Sequence, residues 1–513
     1  METQVLIIGA GVTGTGLARD LALRGVDCIV VESKDINAGA SGANHGLLHS
    51  GARYVSNDPF SAQECHVESQ LLKKMAPNCI EDTGGLFVAV AGDDEAYVAE
   101  FPRLCEQNGI SARMLDRQVA LELEPALCED IVAAYQVEDA SINPFRLSLE
   151  NMAEAETLGS RLFTHTEVTG FLRNGSRIQA VRMRQHQGGK ETVVEAAQVV
   201  NAAGAWAGEV AKLLDLELPM IYSKGSLLVT QRRLTRKVIN RLRRPSDGDI
   251  VAPGGTVSLV GSTSERLRSP FSSRPTIEEV DRIVTEAGQM VPVLANTRYV
   301  RAYAGVRPLV SANTKSNDRA ISRGFVVLDH EADGISNLIT VTGGKLTTFR
   351  LMAEKAADLV CSRLGLKAPC RTRQVPLASS ETTQWTEPGL SPRVWLKKQN
   401  PDDPLLCECE MVPLSAVDQI LDRLEPRREN IDLSAINLRS RVGKGSCQGT
   451  FCSFRTCCHL YERGLFHSDE GVNQLKRFLG KRWHGLRPVL WGAQLAQEEL
   501  QEAIHCGLFG LET

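Results

Sequence analysis

Four cysteines near the end of the chain, Cys407, Cys409, Cys447 and Cys452, form a C-x-C pair and a C-x-x-x-x-C pair. Four thiolates gathered by a small helical unit can hold a [2Fe–2S] cluster. A tetrahedral zinc site asks for comparable geometry, although the short C-x-C spacing speaks mildly against it. Gly443, Gly445 and Gly449 stand among these cysteines and would let backbone N–H groups approach the sulfurs. Cys457 and Cys458 could substitute in the second pair. At the other end of the chain Gly9, Gly11 and Gly14 have G-x-G-x-x-G spacing, with Glu32 eighteen residues beyond Gly14. Such glycines allow a tight turn, close backbone approach to a pyrophosphate and close helix–strand packing, while the acid accepts hydrogen bonds from a ribose. The pattern announces a dinucleotide without choosing between FAD and NAD.

The elements around the glycines support that chemistry. Val5–Ile8 reads as a buried strand, Leu17–Arg24 as a helix-forming run and Cys28–Val31 as a second strand. A helix N-terminus beside the glycines would present free N–H groups and a positive dipole end to phosphates. The next stretch, GASGANHGLLHSGARYVSNDP, is made of small residues carrying His45, His49, Arg53 and Tyr54, and reads as a loop lying over a cofactor. Helical periodicity follows over 61–80, a strand over GGLFVAVAG, a helix over 146–158, and a hairpin turning at Asn174-Gly175. Residues 196–214 repeat the strand, small-residue turn and helix of the opening. Residues 218–325 are rich in strands and arginines, and Gly343, Gly344 and Lys345 begin a third strand–turn–helix unit.

Length and composition bound the rest. The 513 residues predict two to four domains at roughly 150 residues each. With 42% hydrophobic and 23% charged residues and a net charge of −4, the chain reads as ordinary and globular, and nothing suggests a nucleic-acid partner. The first strand begins too early to leave room for a signal peptide, and no run approaches the ~18 apolar residues of a spanning helix. The expected location is cytoplasmic, with peripheral contact to a membrane complex left open. Of fourteen cysteines, those before residue 371 are scattered and read as reduced thiols.

A nucleotide domain assembled from distant segments around a β-rich insert suggests the α/β class, in the form of a Rossmann-like FAD domain of the D-amino-acid-oxidase type. A small helical cysteine domain follows it. GANHGLLHSGARY, INPFRL, VVNAAGAW, KGSLL, RAYAGVRPLV and TGGKLTTFRLMAE, in this order, resemble the FAD-dependent glycerol-3-phosphate dehydrogenase family. The added cysteine segment resembles the BFD-like (bacterioferritin-associated-ferredoxin-like) [2Fe–2S] domain of the family's anaerobic branch. It departs from the smallest BFD-like domains, whose second pair is commonly C-x-x-C.

The resemblance implies oxidation of sn-glycerol 3-phosphate to dihydroxyacetone phosphate by hydride transfer to flavin. Electrons would pass through the cluster to a flavin-containing B subunit, an iron–sulfur, membrane-anchoring C subunit, and finally quinone in anaerobic respiration. Arg307 in GVRPL and Arg323 in ISRG match the family's phosphate and substrate arginines, Arg53 and Tyr54 a substrate-side pair, and Lys345 a lysine beside flavin and substrate. A planar guanidinium suits a dianionic phosphate because its fork binds two oxygens. Aerobic relatives carry a histidine just after K-G-S; Leu227 stands there in this chain, so His49 becomes the candidate acid/base, with His45 behind it. Arg301 reads as structural. Implied FAD contacts are Gly9, Gly11, Gly14, Glu32, Ser41, His45, Val168, Ala203, Gly204, Gly344, Lys345, Leu346 and Thr347.

The expected division places the oxidoreductase at 1–370, with nucleotide-binding parts near 1–60, 146–215 and 325–365 and cap parts near 61–145 and 216–324. A linker at 371–400, the cysteine domain at 401–462 and a helical tail at 463–513 complete it. Trp483, Trp491 and Leu508 to Leu511 make the tail a candidate docking surface. Two other readings remain at this point. A flavin-dependent amine or amino-acid dehydrogenase shares the fold but needs a carboxylate clamp and an apolar side-chain pocket. A non-catalytic flavin and iron–sulfur relay would not need the GGKLTT and GVRPL constellation.

Overall fold

The structure, a computed structural model, describes residues 1–271, 274–310, 322, 324–378, 400–424 and 431–511. Its first layer grows from the opening strand. Glu2–Ile8 lies parallel to Cys28–Val31 on one side and to Glu191–Asn201 on the other. Arg161–Phe163 and Leu338–Gly343 extend the parallel core at either end. Thr166–Asn174 and Arg177–Gln185 form the antiparallel hairpin expected from Asn174-Gly175, its last register pair being Asn174 with Arg177. Val5 and Ile7 face one side of the sheet and Leu6 and Ile8 the other, and all four are buried, as a strand covered on both faces requires.

On the Val5 side the sheet is covered by helices Val12–Leu23, Pro144–Thr157 and Phe349–Arg363. The first begins at Val12, five residues before the run of strong helix formers at Leu17. Its opening turn VTGTG has weak intrinsic propensity, and tertiary contacts hold it: the Val12 N–H donates to Ser41 Oγ at 2.9 Å, and Gly16 lies so near Phe349 that a Cβ would come within 2.8 Å of the ring. The second helix also begins early, because Asn143 caps it through bonds of 3.1 Å from the Phe145 and Arg146 N–H groups and Pro144 occupies its first turn.

A second, nine-stranded sheet is almost wholly antiparallel. Met220–Thr230 and Tyr299–Val310 form its longest pairing, placing Ser223 opposite Arg307, Gly225 opposite Gly305 and Leu227 opposite Tyr303. The exception is Val238–Arg241, parallel to Gly85–Ala89.

Two sequence boundaries shift. The described part of the expected linker is packed rather than free: Thr372 is buried, and Arg19 Nη2 donates to the Val375 carbonyl at 2.8 Å. The tail beyond 462 does not stand apart either. Leu475, Phe478, Leu479 and Leu511 share one apolar core with Cys407, Val417, Ile436 and Leu460, because the short helices of the cysteine segment cannot enclose a core alone. This unit docks on the first layer through Arg439, whose guanidinium holds Asp35 at 2.6 and 3.0 Å. Among the described residues no helix is long and apolar enough to cross a membrane.

Candidate active site

A cleft of about 940 Å³ runs from the opening glycines to the second sheet. At its first end Gly9 has φ +106°, and a Cβ there would come 2.7 Å from the Ala202 carbonyl oxygen. Gly14 lies under the turn, where a Cβ would meet the Gly9 carbonyl at 1.9 Å, so it shapes the cradle without lining the cleft. Gly11 faces Ser41. Glu32 ends the Cys28–Val31 strand and accepts bonds of 2.9 Å from the Ala10 and Lys34 N–H groups. Burial pushes its carboxyl above the ordinary range despite those donors. Val168, Ala203, Gly204, Gly344 and Leu346 line the middle. Thr347 is buried behind the wall, where its Oγ1 accepts from the His49 N–H at 3.2 Å.

The far end gathers cations and imidazoles. Arg307 Nη1 donates to the Thr263 carbonyl at 3.1 Å, and Nη2 to Ser262 Oγ. Arg53 is held by Asp249 at 2.9 Å, but its Nη1 is buried with no hydrogen-bond partner. Lys345 Nζ donates to Ser61 Oγ at 2.9 Å and lies 5.0 Å from the centroid of the Tyr54 ring. His49 packs edge-on to both His45 and Tyr54, at centroid distances of 6.0 and 5.3 Å. The Nδ1 of His45 is also buried without a partner. Leu227 adds a buried apolar patch. The structure therefore brings His45, His49, Arg53, Tyr54, Arg307 and Lys345 to one end of the cleft; Arg323 lies outside the described residues. Arg301 does not line the cleft and packs beside Gly485 instead.

Two contributors escaped the residue-type reading. Gly225, inside a strand, leaves the space that Arg307 fills: a Cβ there would come 2.2 Å from Nη2. Gly305 likewise admits the Ala43 carbonyl, 2.3 Å from where its Cβ would be. A glycine within a strand is the available signal, since it marks a close approach. Lys224, the lysine of KGS, points elsewhere and pairs with Glu279 at 2.8 Å.

Burial holds both imidazoles neutral. His45 is pushed down to about 3 by burial, Arg307 and Arg53, and His49 well below its usual value by burial, His45, Arg53 and Lys345. The unfolded chain binds these protons below about 6.5 and the folded chain does not, so the stabilisation is complete above that value and is lost as pH falls towards the folded values. Each neutral histidine should remove up to about 1.4 kcal/mol of stability per pH unit below ~6.5. In urea unfolding at about pH 7.5 and about pH 5.5, His45→Gln should shrink the difference between the two conditions. An unchanged difference would show that His45 is not held neutral.

The cysteines meet within the C-terminal unit. Cys407 and Cys409 Sγ are 3.8 Å apart, and Cys409 and Cys447 3.6 Å. Cys452, at the start of the Cys452–Glu462 helix, contacts both Cys407 and Cys447. The Cys409 and Cys452 thiols, with the Gly443 and Glu410 N–H groups, hold Cys407 well below the ordinary thiol range. The same two thiols and the Gly449 and Phe451 N–H groups do so for Cys447. Gly445 admits Cys409, whose sulfur would be 2.7 Å from a Cβ there. Among the described residues no group of three or more histidine, cysteine and carboxylate side chains is placed to hold a metal ion as it stands; the four thiols lie in S–H···S contact with one another instead. Cys457 packs against Gly471, and neither it nor Cys458 is among the thiols that touch one another in the quartet.

Comparison with known proteins gives a consistent family. The FAD dependent oxidoreductase pattern matches residues 4–359. The A subunit of the anaerobic glycerol-3-phosphate dehydrogenase of Escherichia coli (strain K12) is 43% identical, with 100% of this chain and 97% of that protein covered. Its namesake from Haemophilus influenzae is 40% identical over 100% of this chain and 94% of its own. Among solved structures, the glycerol-3-phosphate dehydrogenase of Bacillus halodurans complexed with FAD superposes with a TM-score of 0.66, covering 96% of each chain at 20% identity. That last likeness concerns the fold.

Proposed function

The chain belongs to the FAD-dependent oxidoreductases and, within them, to the A subunits of anaerobic glycerol-3-phosphate dehydrogenases, and from that premise we propose that it oxidises sn-glycerol 3-phosphate to dihydroxyacetone phosphate. Its architecture is the D-amino-acid-oxidase type of FAD-binding fold. The carrying observation is the far end of the cleft: Arg307, Arg53 and Lys345 converge there, and Arg53 keeps a buried N–H group without an acceptor. A dianionic phosphate supplies such acceptors, and a charge-assisted bond from a guanidinium is stronger than a neutral one.

The residues present fit FAD. The Gly9 turn and the Val12 helix N-terminus would hold the pyrophosphate, Glu32 the ribose, and the Ala203–Gly204 and Gly344–Thr347 turns the ring end. Bound FAD supplies a hydride acceptor. The protein must place C2 of the substrate against it and take the hydroxyl proton. His49 does the second task in this reading: it is neutral, and so able to accept a proton. The cations that depress its proton affinity are the ones a bound phosphate would offset, which brings His49 back towards its ordinary range when substrate arrives. Leu227 and the buried surroundings exclude water.

The cysteine quartet, with glycine-lined approach and backbone N–H donors on its sulfurs, suits a [2Fe–2S] cluster. In this reading the chain is the catalytic member of a complex. Its electrons leave through the cluster towards a flavin-containing B subunit, an iron–sulfur, membrane-anchoring C subunit and quinone, with the chain itself cytoplasmic. Support for a partner comes from the Ala493–Phe509 helix, where Leu500, Ile504 and Leu508 are exposed at four-residue spacing. Leu511, by contrast, is buried in the cysteine unit's own core.

Anaerobic addition of glycerol 3-phosphate to the FAD-loaded protein tests the reading. Prompt loss of the visible flavin band is expected. Bleaching by an amino acid and none by glycerol 3-phosphate would overturn it.

A further inference from the structure

Where the cysteine unit meets the second sheet, buried cations gather without matching carboxylates. Arg482, on the Glu470–Leu486 helix, is 7% exposed; it donates to Gln448 Oε1 at a long 3.4 Å and lies 4.9 Å from the centroid of the Phe478 ring. Arg301, from the Tyr299–Val310 strand, reaches the same helix nearly one turn on, where a Cβ at Gly485 would stand 3.1 Å from its Nε. That Nε is buried and has no hydrogen-bond partner. Among the described residues neither guanidinium makes an ion pair. Glu410, the carboxylate that acts on the neighbouring Lys444, is taken by Arg441 at 2.9 Å and Thr256 at 3.0 Å. Lys444 adds a further cation, placed 4.5 Å from the centroid of the Phe145 ring.

Like charges held this close in a dry interface repel one another unless an anion compensates them. The anionic group within reach is the cysteine quartet: Arg482 interacts electrostatically with Cys452 and Cys447, and it lines a cavity of about 230 Å³ together with Cys447. We propose that Arg301 and Arg482 are a fixed counter-charge for the iron–sulfur group of the quartet and raise its reduction potential. The inference rests on the quartet holding a [2Fe–2S] cluster. Such a cluster with four thiolates is a dianion when oxidised and a trianion after taking one electron, so neighbouring positive charge favours the reduced form. Reduction turns one ferric iron ferrous; no bond breaks and no proton moves. Burial pushes both guanidiniums down, and arginine suits the task because its intrinsic proton affinity is high enough to keep the charge even so. Both are positioning residues that act through charge and touch no substrate.

EPR-monitored redox titration of the full-length holoprotein, with dithionite as reductant, measures the effect. Arg482→Gln should shift the reduction equilibrium towards the oxidised form by about tenfold, ~59 mV for one electron. Arg301→Gln should move it in the same direction, and Arg482→Lys should stay near the parent. Iron and FAD contents should be parental throughout. Parental midpoints in iron-retaining Arg482→Gln and Arg301→Gln proteins would overturn the proposal. If Arg482→Gln loses iron, Arg301→Gln decides alone, since it lies on the strand outside the cysteine unit. Zinc in the anaerobically purified parent, with no EPR signal on reduction, would overturn the quartet reading and this inference with it.

Discussion

Arg307→Ala should raise KM for glycerol 3-phosphate by roughly thirty- to several-hundred-fold, equivalent to ~2–4 kcal/mol for removing a buried, charge-assisted clamp. FAD content should be unaffected, because Arg307 stands at the sheet end of the cleft, far along it from the Gly9 turn. A companion substitution separates position from charge. Gly225→Ala keeps the guanidinium but puts a Cβ 2.2 Å from where Nη2 lies, forcing the arginine out of its place over Thr263 and Ser262. It should therefore reproduce much of the KM defect with every charge intact. Steady-state kinetics with a dye acceptor read both variants. If KM and kcat are parental in Arg307→Ala, phosphate is held elsewhere.

Cys447→Ser should abolish the EPR signal of the reduced protein and most of its iron. The loss should exceed the ~10–100-fold typical of removing a residue that only orients a metal ligand. The sulfur is one of four in a closed ring of contacts, beside Cys409 at 3.6 Å and against Cys452, and serine offers a harder, less acidic ligand. The kinetic defect should fall on transfer to the acceptor rather than on flavin bleaching by substrate. Cys458→Ser, on the exposed side of its helix, should keep its iron. A Cys447→Ser protein that retains the signal would mean that the quartet is wrongly drawn.

Much of this was legible in residue order. The opening glycines act through what they lack, and the strand, turn and helix around them are local, so spacing alone reveals a dinucleotide cradle. The cysteine pairs were legible in part: C-x-C keeps two sulfurs close by its short spacing, whereas the five steps of C-x-x-x-x-C could span about 17 Å if extended, and its sulfurs meet because the chain turns just before the Cys452–Glu462 helix. The early starts of the helices at Val12 and Pro144 divide along the same line. Asn143 and Pro144 are a local signal that can be read in sequence, whereas Val12 begins a helix because Ser41 and Phe349 hold a weak turn in place.

By itself, then, the sequence determined the FAD-binding pattern, and it set out the cysteine pairs and the arginine, lysine and histidine residues that the proposed chemistry uses. Only the tertiary structure decided which of them meet. Arg53, His49, Arg307 and Lys345 come from segments almost three hundred positions apart, and no periodicity records that distance. It also decided that Arg301 packs against the Glu470–Leu486 helix rather than lining the cleft, and that Cys457 and Cys458 are not among the thiols in contact in the quartet. The direction in which a side chain leaves its strand or helix is fixed by pairing register and by packing partners, which are long-range contacts. Gly225 shows the limit most plainly. As a residue it is only an absence of side chain, and its meaning is the guanidinium that another strand delivers into the space.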